Sequence, residues 1–405
     1  MAEPFTVFAP VNDGFSEVLA SLCLSEIEEL DTDVVDDILL NHIIDGNILS
    51  SDLTSTTVST LGDDIEIDAT EFTITDPNER VINIVTTLVD IQAVNGVVHV
   101  VDRVVLPILE QPSPNIVDVA QSESSLSMLV EAVIQTDLVD ALTTCGERTV
   151  FAPNNDAFMT FLSEKGFTAI SDVQNEVLTQ ILLNHVIDGV NIESESLSEM
   201  TGYVNTMATG PNETNLSLYY DGNDGVTLNG ISSVLTADVE ATNGIIHIVD
   251  TVIDLPTIAT FATSNPALTM LVEALAHADS GTPTVPYIDT VSNATAGPYT
   301  VFAPTNDAFS SLLTNELGIG TLVTDLDTAT LDEILLLHIV DANVQSGELM
   351  TGTVTTLGGD IEADTTDFTL TDENDRVSNI ITTLVDIQSI NGVVHVIEKV
   401  ILPLQ

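Results

Sequence analysis

The feature that most constrains this chain is its threefold repeat. The string Asn95-Gly96-Val97-Val98-His99-Val100 returns as Asn243-Gly244-Ile245-Ile246-His247-Ile248 and again as Asn391-Gly392-Val393-Val394-His395-Val396, 148 positions apart both times. A second string, Thr6-Val7-Phe8-Ala9-Pro10 with Asn12, Asp13 and Phe15, opens each unit and recurs from Thr149 to Phe158 and from Thr300 to Phe309. Solenoid repeats run to roughly 20–50 residues, so a period this long predicts units that each bury a private core. The 405 residues are 44% apolar, enough for three such cores, and the boundaries fall at 1–109, 115–256 and 257–405.

Inside a unit the hydrophobic period changes once. Val34, Val35, Ile38, Leu39 and His42 share a helical face, as do Val177, Leu178, Ile181, Leu182 and His185, and Leu331, Ile334, Leu335 and His338. Gly46 and Gly189 are expected to terminate these helices. Further on the period is two: Ile65 and Ile67 alternate with acids, Phe72 and Ile74 resume the alternation, and Asp76 to Glu79 form a turn before Val81. Each unit then closes on a β-rich run stopped by Pro107, Pro256 or Pro403. Helices first and strands later within one unit predict an α+β fold.

The second and third units open with one more amphipathic helix, through Leu126, Leu129, Val130, Val133 and Ile134 and through Leu268, Leu271, Val272 and Leu275. The first unit has no counterpart and reads as incomplete at its N-terminal side, which predicts an apolar groove left uncovered. Ile108 to Pro114, with Pro112 and Pro114, is expected to be a stiff spacer. No spacer follows Pro256, so the second and third units should be held nearly rigidly together.

Charge excludes whole classes of partner. With 63 acidic side chains against 6 basic ones the formal net charge is −57, and nucleic acid or an anionic bilayer would meet almost no Lys or Arg. No apolar run approaches the roughly 18–20 residues of a membrane span, so no direct membrane insertion is expected. Cys23 and Cys145 are not equivalent in the repeat, so no disulfide framework is expected.

Taken together, Thr-Val-Phe-Ala-Pro with Asn-Asp-x-Phe, then Leu-Leu-x-His, then Asn-Gly-Val-Val-His-Val and a terminal Leu-Pro resemble the fasciclin domain, over nearly the whole chain and three times in the same order. The resemblance implies three tandem domains, each a β-sandwich-like wedge of strands flanked by helices, in a secreted or cell-surface adhesion or matrix protein. It also implies adhesive contacts at an Asp-Ile pair just before the Asn-Gly string, which here is Asp90-Ile91, Asp238-Val239 and Asp386-Ile387. A Tyr-His contact implied by the same family is not matched: Asn41, Asn184 and Leu337 precede His42, His185 and His338.

The bland alternatives stand beside these sites. His42, His185 and His338 are binding candidates and form His-x-x-Asp pairs with Asp45, Asp188 and Asp341, but one His and one Asp are too few ligands to name a metal. All three lie on apolar stripes, where a hydrogen-bonded core imidazole suffices. His277 reads as solvated. Asp221-Gly222-Asn223-Asp224-Gly225 begins like a calcium loop but places Gly225 at an oxygen-ligand position, and reads as a turn. Asn212, Asn215 and Asn293 head N-glycosylation sequons in expected loops. No nucleophile elbow, phosphate-binding loop or His-Glu-x-x-His occurs, so no enzyme is expected.

The expected function is non-enzymatic, extracellular and multivalent, with a cell-surface or matrix protein or a polysaccharide as partner. No dedicated cofactor is expected; calcium or other cations held weakly by the acidic faces are the ions this composition invites, and folding should strengthen with salt. The alternative is self-association into a homopolymeric filament, a neighbouring copy completing the first unit.

Overall fold

Acids alternate with isoleucines from Asp64 to Asp68, and the backbone there is a strand whose isoleucines point inward while its acids face water. The computed structural model describes residues 4–21, 26–107, 114–318, 320 and 322–404. It divides into two compact units, Met1–Pro114 with Thr143–Gly146, and Asn115–Leu142 with Glu147–Gln405. The expected spacer lies, apart from Pro114, outside the described residues.

In the first unit, Phe5–Pro10 pairs in parallel with Gly96–Val101 and antiparallel with Ile43–Asp45, and Ile91–Ala93 forms the other edge of that sheet. A parallel pair needs a long crossover, and here nearly the whole module supplies it. Within the crossover, Thr56–Ser59, Asp64–Asp68, Thr73–Thr75 and Val81–Asn83 form an antiparallel meander. Phe8, Ile44, Ile65, Ile67, Ile74, Ile82, Val101 and Val105 fill the space between the two sheets. On the helical side Val18, Ile38, Val104 and Leu106 make a smaller core. Thr32–Leu40 is helical, opened by the Asp31 side chain accepting from Asp33 N–H at 2.8 Å.

The second unit holds the second and third modules, each with its own clusters of buried side chains. Helices Ile116–Ser122 and Ser127–Gln135 cover the second module, and Ile258–Ser264 and Thr269–Asp279 the third. The third module repeats the two four-stranded sheets of the first, whereas in the second a single sheet of seven strands forms. The ten-residue strand Ser232–Ala241 is the reason: it pairs with Thr227–Leu228 near one end and Gly244–Val249 along the rest. In the third module Leu384 N–H turns back to Ile381 O at 2.8 Å and breaks the corresponding run.

The second and third modules are joined directly. Tyr219 belongs to the third module's core, and Tyr203 stands edge-on to Phe261 with ring centroids 5.6 Å apart. Asn265 Nδ2 donates to the Tyr203 hydroxyl at 3.1 Å, and Gln388 N–H donates to Ser217 Oγ at 3.0 Å.

Four expectations change. Cys145 is disulfide-bonded; Cys23, the only other cysteine in the sequence, lies outside the described residues. The non-equivalence of two cysteines in a repeat says nothing of which segments meet in space. Gly46 and Gly189, at φ +105° and +82°, follow the short strands Ile43–Asp45 and Val186–Asp188 rather than helices. Phe72 occupies the turn before Thr73–Thr75, at φ +55°, rather than the strand. His277 is half-buried, its Nε2–H donating to Leu326 O at 2.9 Å.

Candidate functional site

Each module builds the same cluster around its Asn-Gly string. The strand after the glycine carries a histidine inward, and nine residues earlier an aspartate sits in the left-handed region, Asp90 at φ +58°, Asp238 at +58° and Asp386 at +55°. Asp90 N–H donates to His99 Nδ1 at 3.3 Å, and His99 Nε2–H donates to Ile48 O at 3.0 Å. The carboxylate accepts from Ser50 N–H at 2.7 Å and from Ser50 Oγ–H at 2.5 Å. The second module repeats this with Asp238, His247, Ile192 and Ser194, and the third with Asp386, His395, Val344 and Ser346.

The Ser50 hydroxyl, and then its N–H, hold the Asp90 carboxyl below the usual carboxylate range. Burial pushes Asp238 up, but the Ser194 hydroxyl and N–H outweigh it and the net shift is down. The Asp238 side chain remains 41% exposed, so an ionised oxygen still faces solvent. Replacing Ser50 with Ala removes the hydroxyl donor and keeps the N–H. The expected result is a rise in the Asp90 pKa toward the ordinary aspartate value, read by NMR titration of its carboxyl carbon; no change would mean the hydroxyl does not act on the carboxylate.

The residues beside the aspartates are not equivalent. Ile91 is 46% exposed on the open edge strand, and Val239 is half-buried. Ile387 is 2% exposed, because its strand packs under the second module's sheet. The threefold sequence pattern therefore presents one open aliphatic side chain at the first module.

The other histidines form a second, internal set. The His42 ring donates from Nδ1–H to Ile38 O at 2.7 Å and accepts at Nε2 from Val105 N–H at 2.9 Å. His185 and His338 do the same with Ile181 and Ile253, and with Ile334 and Ile401. All three are buried with both ring nitrogens engaged by backbone. Asn41 Oδ1 accepts from Asp63 N–H, and Asn184 Nδ2 donates to Asp254 O at 3.1 Å, so these asparagines brace the end of their helices. Among the described residues no group of three or more His, Cys, Asp and Glu is arranged to hold a metal ion. Asp221 Oδ1 accepts from Asn223 N–H at 3.0 Å, which closes the glycine-rich turn locally.

Asn212, Asn215 and Asn293 are exposed, but Asn215 is not in the expected loop: it opens the strand Asn215–Asp221, paired with Thr209, and its Nδ2 donates to Thr206 O at 2.7 Å. The serines of the aspartate clusters escape a reading based on charge and period. A short string nevertheless precedes each of them: Asn47-Ile48-Leu49-Ser50, Asn191-Ile192-Glu193-Ser194 and Asn343-Val344-Gln345-Ser346.

The profile of the fasciclin domain matches residues 1–107, 124–256 and 267–403. Human periostin (Homo sapiens) is 32% identical over 275 residues, 66% of this chain and 28% of that protein. Rabbit (Oryctolagus cuniculus) transforming growth factor-beta-induced protein ig-h3 is 26% identical over 249 residues, 61% of this chain and 34% of that protein. The chain thus spans about a third or less of the length of these animal relatives. A solved domain pair from the insect cell adhesion molecule Fasciclin I aligns with 69% of this chain and 97% of its own length, at 18% identity and a TM-score of 0.42.

Proposed function

The chain belongs to the fasciclin-domain family, and on that premise we propose that it is a non-enzymatic extracellular adhesion or matrix protein whose modules make weak contacts that add through effective concentration. The observation that carries the reading is the aspartate cluster, built three times with the same partners and still turning charge toward solvent. Among the described residues five of the six cationic side chains pair with carboxylates, at Arg80, Arg103, Arg148, Lys165 and Arg376, against 63 acids in all. That surplus favours contacts bridged by calcium or another cation to an acidic polysaccharide or protein surface. The disulfide at Cys145 fits an oxidising, extracellular compartment. No helix among the described residues is long and apolar enough to cross a membrane.

The test uses beads carrying the whole chain on a matrix-coated surface under flow. Adhesion is expected to fall severalfold in chelator, to return with millimolar calcium, and to weaken with Ile91→Ser, which alters an exposed side chain. Adhesion indifferent to chelator would remove the cation bridge, and adhesion indifferent to Ile91→Ser would remove the Asp90-Ile91 edge as the contact.

A further inference from the structure

We infer that an apolar cavity in the second module binds the tail of a single-chain aliphatic amine, with the ammonium group resting on the acids at its mouth. Ala120, Val130, Val133, Leu138, Leu142 and Leu183 are among the walls, and Ile134, 60% exposed, stands at the opening. No charged side chain lines the space, so it offers water no partner. Apolar cavities that take up benzene measure roughly 150 Å³. At about 40 Å³ this one admits the narrower end of an alkyl chain. The third module closes the corresponding face with its own chain. Asn243 Nδ2 donates to Leu142 O at 2.7 Å and Asn391 Nδ2 to Val291 O at 3.0 Å, which equates the two segments and makes Leu138 the counterpart of Tyr287, each four residues earlier. Tyr287 is fully buried in its core. Where the third module packs a phenol ring, the second has the smaller leucine and the remainder stays open.

Charge selects the head group. Glu131 lies one turn before Ile134 on the helix Ser127–Gln135, and Asp137 N–H donates to Ile134 O at 3.2 Å, so both acids flank the mouth. No Lys or Arg occurs from Asn115 to Gly146 to offset them. In the third module the counterpart of Asp137 is Asp279, whose carboxylate accepts from Tyr287 N–H at 2.8 Å and from Ile288 N–H at 2.9 Å. The segment that fills the third module's space thus also brings donors to the acid beside it. An occupant of the second module's cavity has the same two tasks, and an alkylammonium ion performs both. A carboxylate or phosphate head would meet like charge.

The test is a methyl NMR titration of the whole protein with n-hexylammonium, 1-hexanol and hexanoate. Hexylammonium is expected to shift the methyl signals of Val130, Val133, Leu138 and Leu142 saturably. It should bind at least about tenfold tighter than hexanoate at low salt and lose most of that advantage at roughly 0.5 M salt, where charges are screened within about 4 Å. Asp137→Asn, at an exposed position, should bring hexylammonium down to the affinity of hexanol and leave hexanol unchanged. Leu138→Phe, which puts a ring where the third module has one, should abolish binding of all three. Val130→Phe fills the space from a second, half-buried wall, so the test survives if Leu138→Phe does not fold. No saturable shift with hexylammonium would reduce the cavity to a packing defect and overturn the site. Hexanoate binding as tightly as hexylammonium, or hexylammonium indifferent to Asp137→Asn, would overturn the amine. Shifts that persist in a folded filling variant would place the ligand elsewhere and overturn the inference.

Discussion

Gly392→Ala should unfold or severely destabilise the third module, by about 4 kcal/mol, because a β-carbon there has nowhere to go. Gly392 sits at φ +148°, and an added methyl would lie 2.1 Å from the carbonyl oxygen of Tyr299. That oxygen belongs to the strand that pairs with Gly392–Ile397, so relief would require the central parallel pair to part. A β-carbon added at Gly96 would likewise lie 1.9 Å from Phe5 O, and one added at Gly244 2.4 Å from Arg148 O. Chemical denaturation of Gly392→Ala against Gly347→Ala, whose added β-carbon meets nothing, isolates the effect. Equal midpoints for the two variants would show that the close approach does not determine stability.

The same string shows how far the sequence could be read. Its repetition exposed the modules, and the strict alternation from Asp64 to Asp68 identified a half-buried strand, because both signals are local and periodic. What asparagine does beside the glycine is not local. Asn243 Oδ1 accepts from Ile116 N–H at 2.9 Å, 127 residues away, and Asn391 Oδ1 accepts from Ile258 N–H at 2.9 Å, 133 residues away. The helices Ile116–Ser122 and Ile258–Ser264 therefore receive part of their N-terminal capping from the far end of the module, and neither is announced by a long apolar stripe. The candidate site divides in the same manner. The aspartates were visible through the family resemblance, but the serines that hold them lie 40 to 44 residues upstream. The burial of Ile387 depends on a contact between modules, which no pattern within one module encodes.

Acid should weaken the second and third modules well before their carboxylates titrate. Burial holds His185 and His338 down at about 4, against the pull of the Ile181 and Ile334 carbonyls and of Asp254 and Asp372. The geometry gives the reason: Nε2 of each ring accepts a backbone N–H, so a proton there would set two donors against each other. Above pH 6.5 both folded and unfolded chains keep these rings neutral. As pH falls from 6.5 toward 4 the unfolded chain takes up protons that the folded chain refuses, so stability is lost across that window, by about 3 kcal/mol per ring when complete and about 2 kcal/mol by pH 5. His42, His247 and His395, lowered chiefly by burial, act in the same direction. Protonation of the 63 acids works the other way by relieving repulsion, but ordinary carboxylates titrate near 4, so the histidines dominate between about pH 6.5 and 5. Asp332 stays ionised throughout: burial pushes its carboxyl up, but the donors on Thr284 and Tyr287 outweigh that and hold it below the usual range. Urea unfolding of the whole chain at pH 7.5, 6 and 5, at one fixed salt concentration, should therefore show a midpoint that falls with pH. A flat or rising midpoint would mean that relief of repulsion outweighs the buried imidazoles, and that the acidic surface governs this protein's response to acid.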